Sequence, residues 1–197
     1  VEQVCEDCGD ATGWSADGGA LLYLEGQPSK VNLLRLARRE KIQLLRHPEF
    51  ALEQAHFSPD NRWIAFSAQT APSQKRVFVA SYRDGSAKPQ EEWIPITDGQ
   101  SWDDKAEWSP DGNLLYYYSR RDGFGCIWKQ PLDPTTKRPT GAAEAIAHFH
   151  GTRFTLRNLT LPSLAISVAR DKIVFTAGEV SANIWMTRAE GLHPLQK

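Results

Sequence analysis

Three short stretches of this chain carry residue types whose spacing could do chemistry. Gly13-Trp14-Ser15-Ala16-Asp17 begins like a G-x-S-x-G nucleophile elbow, in which a strained strand-to-helix turn exposes a serine. Asp stands where the second glycine is needed and no helical pattern follows, so acyl transfer at Ser15 is not expected. His148-Phe149-His150 puts two imidazoles on one side of an extended segment, as a metal-binding pair would require. No carboxylate or thiol lies nearby in sequence to complete that site, so the segment reads as an ordinary strand end and no metal is expected. Cys5 and Cys8 form a C-x-x-C that suits half a zinc site, a redox pair or a local disulfide. No second C-x-x-C follows and Cys126 stands apart beside Ile127 and Trp128, so unpaired structural thiols are the expectation. Phosphate-cradling glycine loops and a dinucleotide fingerprint are absent from the sequence, and no cofactor is expected.

Charged clusters are the remaining candidates. Asp103-Asp104 and Arg120-Arg121-Asp122 flank apolar strands and could face a channel mouth. The long stretch from Pro131 to Pro162 carries Lys137, Arg138, His150, Arg153 and Arg157, and loops on rigid scaffolds often carry binding residues. Asp103, Asp104, Arg120, Arg121, Asp122, Arg153 and Arg157 are therefore the candidate ligand-binding residues. Arg35, Arg38, Arg39 and Lys41 make the densest positive stretch, which reads as a solvated strand edge that discourages strand addition. With 23 basic and 24 acidic residues the net charge is −1, which argues against a general nucleic-acid binder. No apolar stretch is long enough to span a membrane, and no signal peptide is visible.

The elements that must position these residues come from a repeat. Trp14-Ser15-Ala16-Asp17-Gly18, Phe57-Ser58-Pro59-Asp60-Asn61 and Trp108-Ser109-Pro110-Asp111-Gly112 are three copies of one turn, each followed by an apolar run. A degenerate fourth copy runs from Ile166-Ser167 to Asp171. The serines are 43, 51 and 58 residues apart, slightly long for a four-stranded propeller blade. Pro59 and Pro110 preset the first corner, the three aspartates can bond local N–H groups, and Gly18, Asn61 and Gly112 tolerate positive φ. Ser15, Asp17, Ser58, Asp60, Ser109 and Asp111 are thus structural turn residues. Apolar pairs at Leu33-Leu34, Val77-Phe78, Ile127-Trp128 and Ile184-Trp185 mark the third strand of each unit. Weaker fourth strands are expected over 42–45, 93–97 and 145–149.

The WSPDG run, the apolar strand after it and the following Ile-Trp pair resemble the bacterial TolB-type, WD-like propeller repeat. Similar blades occur in the propeller domains of prolyl-oligopeptidase-like and tricorn-like peptidases. The resemblance implies an all-β fold of four-stranded antiparallel blades, about four of them, at approximately 9–47, 51–98, 102–150 and 163–191 of one propeller domain. Larger rings are usual in that family, and the chain begins with Val, so the C-terminal part of a larger propeller is expected. Residues 1–5 then supply an outer strand of a preceding blade. Open apolar blade faces would favour a homodimer. The role implied is non-catalytic: a scaffold or sensor that binds a protein, peptide or small ligand at a ring face, in a bacterial, extracytoplasmic setting. A gating propeller of a serine peptidase and an envelope-complex component like TolB are the alternatives.

Overall fold

The structure is a computed structural model and describes residues 3–151, 154–156, 164–179 and 183–184. Its strands are β1 (Ala11–Trp14), β2 (Ala20–Glu25), β3 (Lys30–Arg35), β4 (Glu40–Leu45), β5 (Leu52–Phe57), β6 (Trp63–Ala71), β7 (Gln74–Arg83), β8 (Ser86–Ala87) and β9 (Ile94–Pro95). They continue with β10 (Asp103–Trp108), β11 (Leu114–Ser119), β12 (Cys126–Pro131), β13 (Glu144–Ala147), β14 (Phe154–Thr155), β15 (Ile166–Val168), β16 (Ile173–Phe175) and β17 (Gly178–Glu179). Antiparallel meanders β1-β2-β3-β4 and β10-β11-β12-β13 form the first and third blades, and β5-β6-β7 with β8 and β9 on its outer edge forms the second. The fold is all-β, part of a propeller.

Blades stack because their strands are apolar on both faces. Along β7, Val77 and Val79 point one way and Phe78 and Ala80 the other, with period two. The first set packs on Ala106, Leu115 and Tyr117 of the third blade, and the second joins Leu22, Val31 and Leu33 of the first. A third cluster joins Tyr118 and Ile127 to Ile166 of the β15–β16 hairpin and to Leu164 just before it. Each of the larger buried side chains, such as Phe66 and Leu33, contributes roughly 1.5–3 kcal/mol by leaving water.

The three turns are built alike. Ser15 Oγ donates to Asp17 Oδ1 at 2.6 Å and accepts from the Ala20 N–H at 2.9 Å. Ser58 repeats this with Asp60 at 2.6 Å and the Trp63 N–H at 3.0 Å, and Ser109 with Asp111 at 2.6 Å and the Leu114 N–H at 2.9 Å. Each aspartate also accepts the N–H two residues on, at 3.1 Å in all three copies. Gly18, Asn61 and Gly112 take φ of 70°, 55° and 69°, the left-handed corner that the turn requires. The Ser109 hydroxyl, then the Asn113 N–H, hold the Asp111 carboxyl below its ordinary range. The stability it contributes is therefore present above about pH 3.8 and lost as pH falls through its lower folded value. Ser109→Ala leaves the part-buried Leu114 N–H without its acceptor, while water replaces the hydroxyl at the exposed Asp111; urea melts at pH 7 should show a loss of about 1 kcal/mol. A change within error would remove the hydroxyl from the account of the turn.

Several expectations need correction. Ser167 is not a turn serine: it sits mid-strand in β15 opposite Val174, and the hairpin closes two residues later through Ala169 N–H to Lys172 O at 2.9 Å. Ile184 lies outside any strand and is 96 % exposed, while Trp185 falls outside the described residues. Residues 3–5 form no strand, and Cys5 and Cys8 are joined in a disulfide rather than left as thiols. A three-residue separation places the two sulfurs within one tight loop, which lets the pair close locally. Nor is the free face of the first blade bare. Tyr23 and Leu34, which share the face opposite Leu22 and Leu33, are each 1 % exposed, and Gln3–Glu6 lie alongside Leu34 and Lys41.

Candidate functional site

The inner strands β1, β5 and β10 pack side by side around the propeller axis. At Gly13 β1 and β5 approach so closely that a Cβ would sit 2.9 Å from the Ala55 carbonyl. Both β5 and β10 are broken by a bulge, between Glu53 and His56 and between Asp104 and Glu107. At each bulge a non-glycine residue is left-handed: Gln54 at φ 54° and Lys105 at φ 58°. Such backbone costs on the order of 1 kcal/mol or more and recurs at binding sites, where the extra residue re-aims side chains.

The bulges turn Glu53, Gln54, Asp104 and Lys105 toward one end of the axis. There they line a cavity of about 610 Å³ with Asp7, Asp10, Glu25, Gly26 and Gln27. Two of its carboxylates are neutralised from behind. Lys75 Nζ, 1 % exposed, lies 2.7 Å from Glu53 Oε2 and 3.0 Å from Asp104 Oδ2, over the Trp102 ring at 4.8 Å. Asp104 Oδ1 also accepts from Ser67 Oγ at 2.9 Å and the Lys105 N–H at 2.8 Å. Among the described residues, Asp7, Asp10 and Glu25 form no ion pair, so the rim is acidic.

Deeper along the axis, His56 Nε2 and Glu107 Oε1 are 3.5 Å apart in a smaller cleft lined by Gly13, Trp14, Trp108 and Val168. Burial pushes His56 down to about 4, helped by Lys105, and pushes Glu107 up to about 7. Both groups are thus held toward their neutral forms.

The residues singled out from sequence divide accordingly. Asp104 reaches the mouth, but as part of the Lys75 clasp. Asp103 is fully buried, 3.7 Å from Arg121 Nη2, and burial raises its carboxyl against the pull of Ser119, Thr97 and Arg121. Arg121 is itself an anchor, with its guanidinium between Tyr117 and Trp128 at 5.4 and 5.0 Å and donating to Ser119 Oγ. Arg120 is exposed and donates to Tyr118 Oη at 2.8 Å. Lys137 is buried, its ammonium on the Gly112 carbonyl at 2.7 Å and on Asn113 Oδ1, so it closes a turn rather than facing a ligand. Arg153 and Arg157 lie outside the described residues.

Asp122 has company that sequence distance concealed. The β11–β12 turn brings Asp122 and Cys126 to His148 and His150, 28 and 22 residues away across the pairs that meet, with one donor atom from each within 4.8 Å of the others. Asp122 Oδ2 is 2.9 Å from His150 Nε2 and 3.6 Å from His148 Nδ1; the two ring nitrogens are 3.3 Å apart, and Cys126 Sγ is 3.8 Å from His148 Nδ1. Burial raises the Cys126 thiol. For Asp122 burial is outweighed by hydrogen bonds from His150, the Phe124 N–H and Cys126, which lower its carboxyl.

On the opposite end, a groove of about 830 Å³ between the first two blades gathers Arg35, Arg38, Arg62, Arg83 and Lys88 over Trp63 and Tyr82. Three of these cations are already matched: Arg35 by Glu40, Arg62 by Asp60 and Lys88 by Glu92. The strand-edge reading of Arg35 and Arg38 therefore misses the groove that they line.

No protein-family model and no curated protein matches the chain. Solved propellers do. TolB from Acinetobacter baumannii superposes with a TM-score of 0.58 at 13 % identity, over 89 % of this chain and 41 % of that one. A puromycin hydrolase gives 0.60 at 18 %, over 86 % and 27 %, and prolyl oligopeptidase B from Galerina marginata 0.56 at 14 %, over 85 % and 24 %. At these identities the likeness shows a TolB-like propeller fold. The chain spans about two fifths of the TolB length and about a quarter of each hydrolase.

Proposed function

We propose that the chain is a non-catalytic propeller scaffold whose acidic mouth takes a positively charged segment of a partner protein. The observation that carries this reading is the pair of left-handed bulges at Gln54 and Lys105, which hold backbone strain at the end of the axis where Asp7, Asp10 and Glu25, the last held by Asn32 Nδ2 at 2.9 Å, have no cationic partner among the described residues. The groove at the other end is larger, but most of its charge is balanced within the chain. The Cys5–Cys8 disulfide borders the same rim through Cys8, and disulfides persist in oxidising compartments, which supports an extracytoplasmic setting.

Fluorescence anisotropy with a labelled Lys/Arg-rich peptide, and a Glu-rich peptide of equal length as control, tests the reading. The basic peptide should bind, weaken as salt rises, and lose about tenfold affinity in Asp7→Asn/Asp10→Asn/Glu25→Gln, three rim changes outside the blade cores. Equal binding of both peptides, or no effect of the triple substitution, would reject the mouth as the site.

A further inference from the structure

We propose that Asp122, Cys126, His148 and His150 form a binding site for a zinc-class divalent ion, which clasps the β11–β12 turn to the end of β13. Tetrahedral zinc takes thiolate sulfur at about 2.3 Å and imidazole nitrogen or carboxylate oxygen at about 2.0–2.2 Å, so neighbouring donors stand roughly 3.3–3.6 Å apart. Four of the six donor separations, at 2.9, 3.3, 3.6 and 3.8 Å, lie near that range, and all six are within 4.8 Å, so the donors must draw in by about 1 Å at most to close on one ion. One thiol with two imidazoles is also the donor set that selects zinc-like ions over magnesium or calcium, which prefer oxygen.

The surroundings orient the donors. Asp122 Oδ1 is occupied by the Phe124 N–H at 3.1 Å, which leaves Oδ2 for the cluster. Phe124, 43 % exposed, stacks on the His150 ring at 4.2 Å between centroids, which accounts for an aromatic side chain left in solvent. Cys126 opens β12 at the buried base, paired with Ser119 across the hairpin. Both histidines are about half exposed, so an ion can enter from solvent.

The test is Co²⁺ titration of the chelator-treated protein, followed by absorbance and by Tm. The proposal expects one equivalent of cobalt, a thiolate-to-cobalt charge-transfer band, tetrahedral visible bands, displacement by Zn²⁺ and a Tm that rises with either ion. Cys126→Ser should abolish the charge-transfer band. His150→Gln, at an exposed position that leaves the buried base intact, should weaken binding at least about 100-fold, since even partners outside the ligand set typically cost 10–100-fold. His47→Gln, outside the cluster, should change neither. Absence of the band in the parent protein, its persistence in Cys126→Ser, or unaltered affinity in His150→Gln overturns the site.

Discussion

Lys75→Met should destabilise the protein by about 3–5 kcal/mol, among the largest losses available from a single substitution outside the apolar core. The ammonium is 1 % exposed and bonds Asp104, which is equally buried and belongs to the next blade, so the pair joins the second blade to the third. Removing the cation leaves the Asp104 carboxylate with Ser67 and one N–H but no opposite charge at 3.0 Å. Met keeps the stem volume, so the loss reports the stranded charge rather than a cavity. Glu53 shares the ammonium at 2.7 Å but is a third exposed, so water replaces the cation there and Glu53→Gln should cost about 1 kcal/mol or less. The pair is not expected to beat an apolar equivalent. Lys75→Met/Asp104→Leu should recover much of the single loss, because neither charge is then left alone. Urea denaturation of the four proteins gives the coupling directly. A loss under 1 kcal/mol for Lys75→Met would mean that the cleft is wet enough to solvate Asp104, and the clasp between blades would have to be given up.

What could be read from the residues in order, and what could not, divides along sequence distance. The Ser-x-Asp turns were legible because the serine and aspartate bonds that shape them span five residues or fewer and repeat with the motif. Leu33-Leu34, Val77-Phe78 and Ile127-Trp128 were legible as third strands because both faces of a blade are covered, which gives adjacent apolar residues rather than alternation. Asp103-Asp104 read as ligand-binding residues at a channel mouth, since nothing local reveals that Lys75 lies 29 residues upstream with its ammonium against Asp104. The bulges at Gln54 and Lys105 depend on how β5 and β10 register against β6 and β11, and only the common offset of four residues before Ser58 and Ser109 hinted at them. His148 and His150 were legible as a pair. Their relation to Asp122 and Cys126 follows from the β11–β12 turn reaching past the end of β13, which is a matter of strand length and not of any motif.

In the channel, wild-type stability should be nearly flat with pH between about 4.5 and 6.5 as far as His56 and Glu107 are concerned, and removing either one should reveal a slope of opposite sign. The reason is proton counting. In this window the unfolded chain holds a proton on His56, with its ordinary value of 6.5, that the folded protein has shed, because burial lowers the folded value to about 4. The folded protein holds a proton on Glu107, with a folded value near 7, that the unfolded chain lost near 4.5. The two counts cancel. In His56→Gln only Glu107 remains; its contribution is full below about pH 4.5 and is lost as pH rises through about 7. In Glu107→Gln only His56 remains; its contribution is present above about pH 6.5 and is lost as pH falls toward 4. Each displacement is worth about 3 kcal/mol at most, and less where the quarter of each side chain that meets solvent is hydrated. Subtracting the wild-type curve removes the turn carboxylates Asp17, Asp60 and Asp111, which titrate identically in all three proteins. Urea midpoints from pH 4 to 8 should therefore diverge, with His56→Gln falling and Glu107→Gln rising relative to wild type. Parallel curves would mean that neither group is held neutral, and that water fills the channel past His56 to the Gly13 strand.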